Sequence, residues 1–151
     1  SRKWFDNKVP YSEKISSENK LENSAKIAVE NYIYNFDNYK LDLAANEVLS
    51  LAINTNLYLN DNQPWMLIKE KDNLPLVKEI IYNVLESTRI IGLLLLPLLP
   101  KLSSKINEQL GAIYSEEISW RKQLSWGLLK SDASLPKPTP IITKLEYDQN
   151  I

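Results

Sequence analysis

The chain has 151 residues, with 18 Lys and Arg against 19 Asp and Glu and neither His nor Cys. That length fits one domain able to bury roughly two-thirds of the surface its unfolded chain exposes, and the missing His and Cys remove disulfides, thiol nucleophiles, zinc knuckles and the commonest general base. Hydrophobic residues at 44% and charged residues at 25% exclude wholesale disorder, while a net charge of −1 argues against gripping duplex nucleic acid through counterion release but leaves stacking on unpaired bases open.

Only 3 Gly among many Leu, Lys, Glu, Asn and Ala points to helices. The opening Ser1-Arg2-Lys3-Trp4-Phe5-Asp6 has no signal-peptide core and reads as the tail of a helix entered partway along. Arg2, Lys3, Lys8, Lys14 and Lys20 outnumber Asp6, Glu13 and Glu18 there; Arg2 and Lys3 are candidate phosphate contacts, with plain solvated charge as the alternative. Tyr11 to Glu18 is polar and aperiodic, a connection. From Leu21 the apolar positions Leu21, Ala25, Ala28, Val29, Tyr32, Ile33 and Phe36 follow helical spacing. Asp37-Asn38 is expected to cap a second helix with an inner face of Leu41, Ala44, Ala45, Val48, Leu49, Ala52 and Leu59, ending near Asn60.

Pro64 stands where a first helical turn tolerates a missing N–H, so the spacing predicts a short helix from Pro64 to about Glu70 with Trp65 near its tip. Asn73 and Pro75 begin another, carried by Leu76, Val77, Ile80, Ile81, Val84, Leu85, Thr88 and Ile91 up to Leu96, where Pro97 bends or stops it. The longest apolar run, Ile90 to Pro100, includes Gly92 and two prolines and is about eight residues short of the ~20 a membrane span needs. It reads as a buried helix. Pro100 opens the next, with Leu102, Ile106 and Leu110 on one side and Gly111 as a left-handed C′ residue. Beyond it, Trp120, Leu124, Trp126 and Leu128 lie among polar residues, and Pro136-Lys137-Pro138-Thr139-Pro140 enforces extended backbone. The expected fold is all-α: a helical bundle of four or five helices with an irregular extended C-terminal arm. Residues 1–17 would be the preceding helix end and connection, 18–115 the bundle and 116–151 the arm packed back on it.

Little standard catalytic equipment is present. A Ser-His or Cys-His site is impossible, three isolated glycines cannot build a phosphate loop, and Glu116-Glu117 reads as a solvated pair. Arg89, among apolar neighbours, is expected to pair with Glu86. Trp4, Trp120 and Trp126 sit near other apolar residues and read as packing. Trp65 differs: at a helix entrance its indole either staples two helices together or lies open for stacking.

Several segments taken in order carry a resemblance. Asn56-Leu57-Tyr58-Leu59-Asn60-Asp61-Asn62-Gln63-Pro64-Trp65, then Leu85-Glu86-Ser87-Thr88-Arg89-Ile90-Ile91 running to Pro97-Leu98-Leu99-Pro100, then Trp126-Gly127-Leu128-Leu129 and a closing Pro138 to Glu146, resemble the anticodon-binding domain of methionyl-tRNA synthetase, a class I aminoacyl-tRNA synthetase. The resemblance implies a helical bundle that recognises the anticodon loop of methionine tRNA, with Trp65 stacking on an unpaired base and Asn56 and Tyr58 on the helix leading to it. It places ATP, and any zinc, in a catalytic domain absent from this chain, whose His-rich and Lys-Met-Ser-Lys-Ser-type signatures do not occur here. It also implies an Asn-x-x-x-Arg helix ahead of Ser1. The implied partners are that tRNA and the enzyme's own catalytic domain, in the cytoplasm and without a membrane; this chain alone is expected to be inactive. The rival reading is a non-enzymatic protein-interaction bundle docking through apolar surface around Trp120 to Trp126.

Overall fold

The computed structural model describes residues 1–11, 18–111, 114–115 and 117–141. Among these, four long helices and two single-turn helices form the bundle. They are α1 (Lys20–Asp37), α2 (Leu41–Asn62), α3 (Pro64–Leu67), α4 (Leu74–Leu95), α5 (Pro100–Gln109) and α6 (Trp120–Gln123). No described helix is long and apolar enough to cross a membrane. The expected connection at 12–17, Glu116 and the chain from 142 onward lie outside the described residues.

The first helix follows its sequence pattern. Asn19 caps it, its Oδ1 accepting the Glu22 N–H at 3.1 Å, and Leu21, Ala25, Ala28 and Tyr32 are buried at the anticipated spacing. Asn38 does not cap α2. It closes α1 instead, its N–H reaching the carbonyl oxygens of Tyr34, Asn35 and Phe36 and its Nδ2 donating to Tyr34 O at 2.7 Å. Tyr39 then turns the chain at φ +60, and Lys40 precedes α2 without a side-chain cap.

The inner face of α2 departs from expectation. Ala44, Val48, Leu51 and Thr55 are buried, whereas Leu41 and Leu49 are 50% and 59% exposed. Two apolar series compete on this helix: Leu41-Ala45-Leu49-Ile53-Leu57 at strict four-residue spacing, and Ala44-Val48-Leu51-Thr55. The second is the one turned to the core, and its polar member is satisfied there: Thr55 Oγ1 lies 2.7 Å from Ser87 Oγ and donates to Leu51 O at 2.7 Å.

The Pro64 helix is shorter than expected. Pro64 O accepts the Ile68 N–H, after which Lys69 and Glu70 donate to Met66 O and Leu67 O, each one residue tighter. That tightening turns the chain through a short 3₁₀ turn at Lys71–Asn73 into α4. The fourth helix is the spine, packing on α1, α2, α3 and α5. Its buried side includes Ile80, Ile90 and Leu94, but also Asn83, Glu86, Ser87 and Arg89, with Glu79 buried as well. The last five polar side chains interrupt what the apolar pattern alone suggested.

After α5, Gly111 adopts φ +62 as expected, and a Cβ there would stand 2.8 Å from Ser134 O. The arm therefore passes where only a glycine leaves room. Beyond Gln123 the arm packs back on the bundle. Trp120 Nε1 donates to Leu93 O at 2.8 Å, Trp120 and Trp126 both pack against the main core, and Trp4 is half-buried. The two indoles are thus engaged with the core, while Ile118 and Leu128 beside them stay half exposed. Residues 7–9 lie along the arm: Val9 N–H donates to Ala133 O at 3.0 Å, and Asp132 N–H donates to Val9 O at 2.9 Å.

Arg89 and Glu86 pair as the sequence suggested, at 2.7 Å and almost without exposure. The pair does more than neutralise itself. Glu86 accepts the N–H groups of Gly127 (2.7 Å), Leu128 (3.0 Å) and Leu129 (3.0 Å), while Arg89 donates to Gln123 O (2.6 Å) and Ser125 O (2.8 Å). The arm is thereby clamped to α4.

Candidate nucleic-acid interface

The end of α2 sets the geometry. Asn62 Nδ2 donates to Tyr58 O at 2.8 Å, closing the last turn, and Gln63 takes the left-handed conformation (φ 42, ψ 57) with its N–H on Leu59 O. A non-glycine residue there costs roughly 1–2 kcal/mol, so the surrounding contacts must hold it. Pro64 supplies one anchor: its fixed φ suits the first turn of α3, and its ring is fully buried. Gln63 O caps the new turn by accepting the N–H groups of Met66 (2.9 Å) and Leu67 (3.3 Å).

With Pro64 fastened inward, the next residue projects outward. Trp65 is 43% exposed and Met66 50% exposed, on a helix that packs against α4. The helical backbone narrows the rotamers open to this indole, which lowers the ordering cost of stacking.

The other residues singled out from the sequence lie apart, Asn56 and Tyr58 being about 200° from each other around α2. Asn56 faces solvent. Tyr58 is half-buried, its hydroxyl accepting from Asn83 Nδ2 at 3.0 Å. Burial pushes the Tyr58 phenol pKa up, the Asn83 donation pulls it down and the Glu79 charge raises it. The hydroxyl is a structural group. Arg2 and Lys3 are exposed on the N-terminal turn, a different element from Trp65.

Sequence reasoning missed Asn19 and Asn83. Asn19 Nδ2 donates to Asn83 Oδ1 at 3.0 Å, so a buried amide on α4 ties the start of α1 to the end of α2. The available signal was an amide on the core-facing stripe of α4, between Ile80 and Ile90, where a buried polar group demands partners. Beside this bridge lies a groove of about 450 Å³, lined in part by Asn54, Tyr58, Asp61, Asn62, Glu79 and Asn83. Its carboxylates, Glu18, Asp61 and Glu79 against the single cation Lys20, disfavour a phosphate. Among the described residues no group of three or more His, Cys, Asp or Glu side chains could hold a metal ion.

Comparison with known proteins gives a consistent picture. A family model described as the anticodon binding domain of methionyl tRNA ligase matches residues 9–150. The methionine-tRNA ligase of Synechocystis is 37% identical over 113 residues, covering 68% of this chain and 21% of that relative. The Bacillus subtilis methionine-tRNA ligase is 28% identical over 151 residues, covering 99% of this chain and 23% of the relative. The chain thus spans about a fifth to a quarter of the length of these relatives. The apo crystal structure of Mycobacterium tuberculosis methionyl-tRNA synthetase matches with a TM-score of 0.78 at 22% identity, over 94% of this chain and 29% of that one, a likeness of fold. With nearly its whole length matched by the model, the chain belongs to the family of methionyl-tRNA ligase anticodon-binding domains.

Proposed function

We propose that this chain recognises the anticodon loop of methionine tRNA as the RNA-reading part of a cytoplasmic methionine-tRNA ligase. The observation that carries the reading is Trp65, 43% exposed on a short helix whose entrance is fixed by buried Pro64. An unpaired anticodon base stacks on the indole, while Asn56, exposed on α2, reaches toward the loop and Tyr58 holds the helix end. Arg2 and Lys3 meet phosphate oxygens. Joining of methionine to its tRNA with ATP, and any zinc, belong in this reading to a catalytic domain outside this chain.

Stacking on an aromatic contributes about 1–3 kcal/mol per base. Replacing Trp65 with Ala should therefore weaken binding of a methionine-tRNA anticodon stem-loop about 5- to 150-fold, with a nearly unchanged melting temperature. A large loss of thermal stability with unaltered RNA affinity would instead make Trp65 a staple.

A further inference from the structure

Trp65 can be presented only as steadily as the end of α2 is held, and that end carries a strained left-handed Gln63. One buried side chain ties that end of α2 to the other helices. Asn83, 3% exposed in mid-α4, donates to Tyr58 Oη at 3.0 Å and accepts from Asn19 Nδ2 at 3.0 Å. Asn19 in turn caps α1 through Glu22 N–H at 3.1 Å. From Tyr58 the connection continues: its carbonyl takes Asn62 Nδ2 at 2.8 Å, Leu59 O takes Gln63 N–H at 3.2 Å, and Gln63 O takes Met66 N–H at 2.9 Å. The helix bearing Trp65 packs on α4, the helix that also carries Asn83. The Gln63-Pro64 reversal is therefore bracketed from both sides by one rigid element.

From this closed circuit, we infer that Asn83 is a positioning residue for the stacking site, acting on RNA only through Tyr58 and Trp65. The inference rests on the stacking role proposed for Trp65. An amide suits the position because it donates at one end and accepts at the other. Alanine there breaks both bonds and loosens the tie between Tyr58 and α4, so Trp65 samples orientations it must give up again on binding.

The test is a double-mutant cycle on affinity for the anticodon stem-loop, in the complete ligase polypeptide that carries this chain, well below its unfolding temperature. Asn83→Ala alone should weaken binding about two- to tenfold, and should add little in a Trp65→Ala background. Tyr58→Phe, which keeps the ring and removes only the accepting hydroxyl, should behave likewise and guards against a variant that fails to fold. Equal losses from Asn83→Ala with and without Trp65, or none in either, would overturn the inference while leaving the stacking role intact. Trp65→Ala without effect on affinity would overturn the stacking role itself, and the inference with it.

Discussion

Replacing Glu86 with Gln tests the clamp between α4 and the arm. The carboxylate is fully buried, and its partner Arg89 is 7% exposed. Oε1 accepts from Gly127 N–H, Leu128 N–H and Arg89 Nη2, and Oε2 accepts from Leu129 N–H and Arg89 Nε. Every neighbour is a donor. Whichever way the glutamine amide is turned, its NH₂ faces at least two N–H groups, and the guanidinium loses its counter-charge in a dry site. Breaking a buried pair by removing one partner costs about 3–5 kcal/mol, set against a total stability of roughly 5–15 kcal/mol. At about 2–4 °C per kcal/mol for a chain of this size, the midpoint should fall by about 6–20 °C. Thermal melts followed by circular dichroism, with urea unfolding as a check, measure it. A midpoint within 2 °C of the parent, judged against that ~6 °C minimum, would refute the clamp as a main fastening of the arm.

Removing the Tyr32 hydroxyl should do the opposite of most core changes. Tyr32 Oη is buried with no hydrogen-bond partner among the described residues, while its ring stacks on Phe36 and is tilted against Trp120; Tyr32→Phe should leave stability unchanged or raise it by about 1 kcal/mol in urea titration. Burial pushes the Tyr32 phenol up to about 12 from 10.0. Its neutral form is thus favoured by folding, and that contribution is complete below pH 10, is lost as pH climbs toward 12, and is absent from the Phe variant in alkaline melts. Gly111→Ala should lower stability by at least about 1 kcal/mol, since φ +62 is strained for alanine and its Cβ would meet Ser134 O at 2.8 Å.

Where a residue's place depends on its own helix, the sequence reveals it: α1, the start at Pro64, the stop at Gly111 and the Glu86–Arg89 pair are all legible there. Where a residue's place depends on a neighbour far along the chain, the sequence misleads. Leu49 looks like core and is exposed, whereas Thr55 is buried with Ser87 opposite it. Asn83 looks like an interruption of the apolar stripe and is a bridge. Trp65 can be named from its proline, but the support beneath it cannot, because Asn19 and Asn83 are 64 residues apart.

The polar groups buried along α4 answer to separate neighbours: Asn83 to α1 and α2, Ser87 to Thr55, and Glu86 with Arg89 to the arm. A greasy spine would tolerate sliding or rolling by a residue. This one does not, since any such slip strands several hydrogen-bonding groups in the interior at once. These anchors favour one seating of the middle helix over its slipped neighbours.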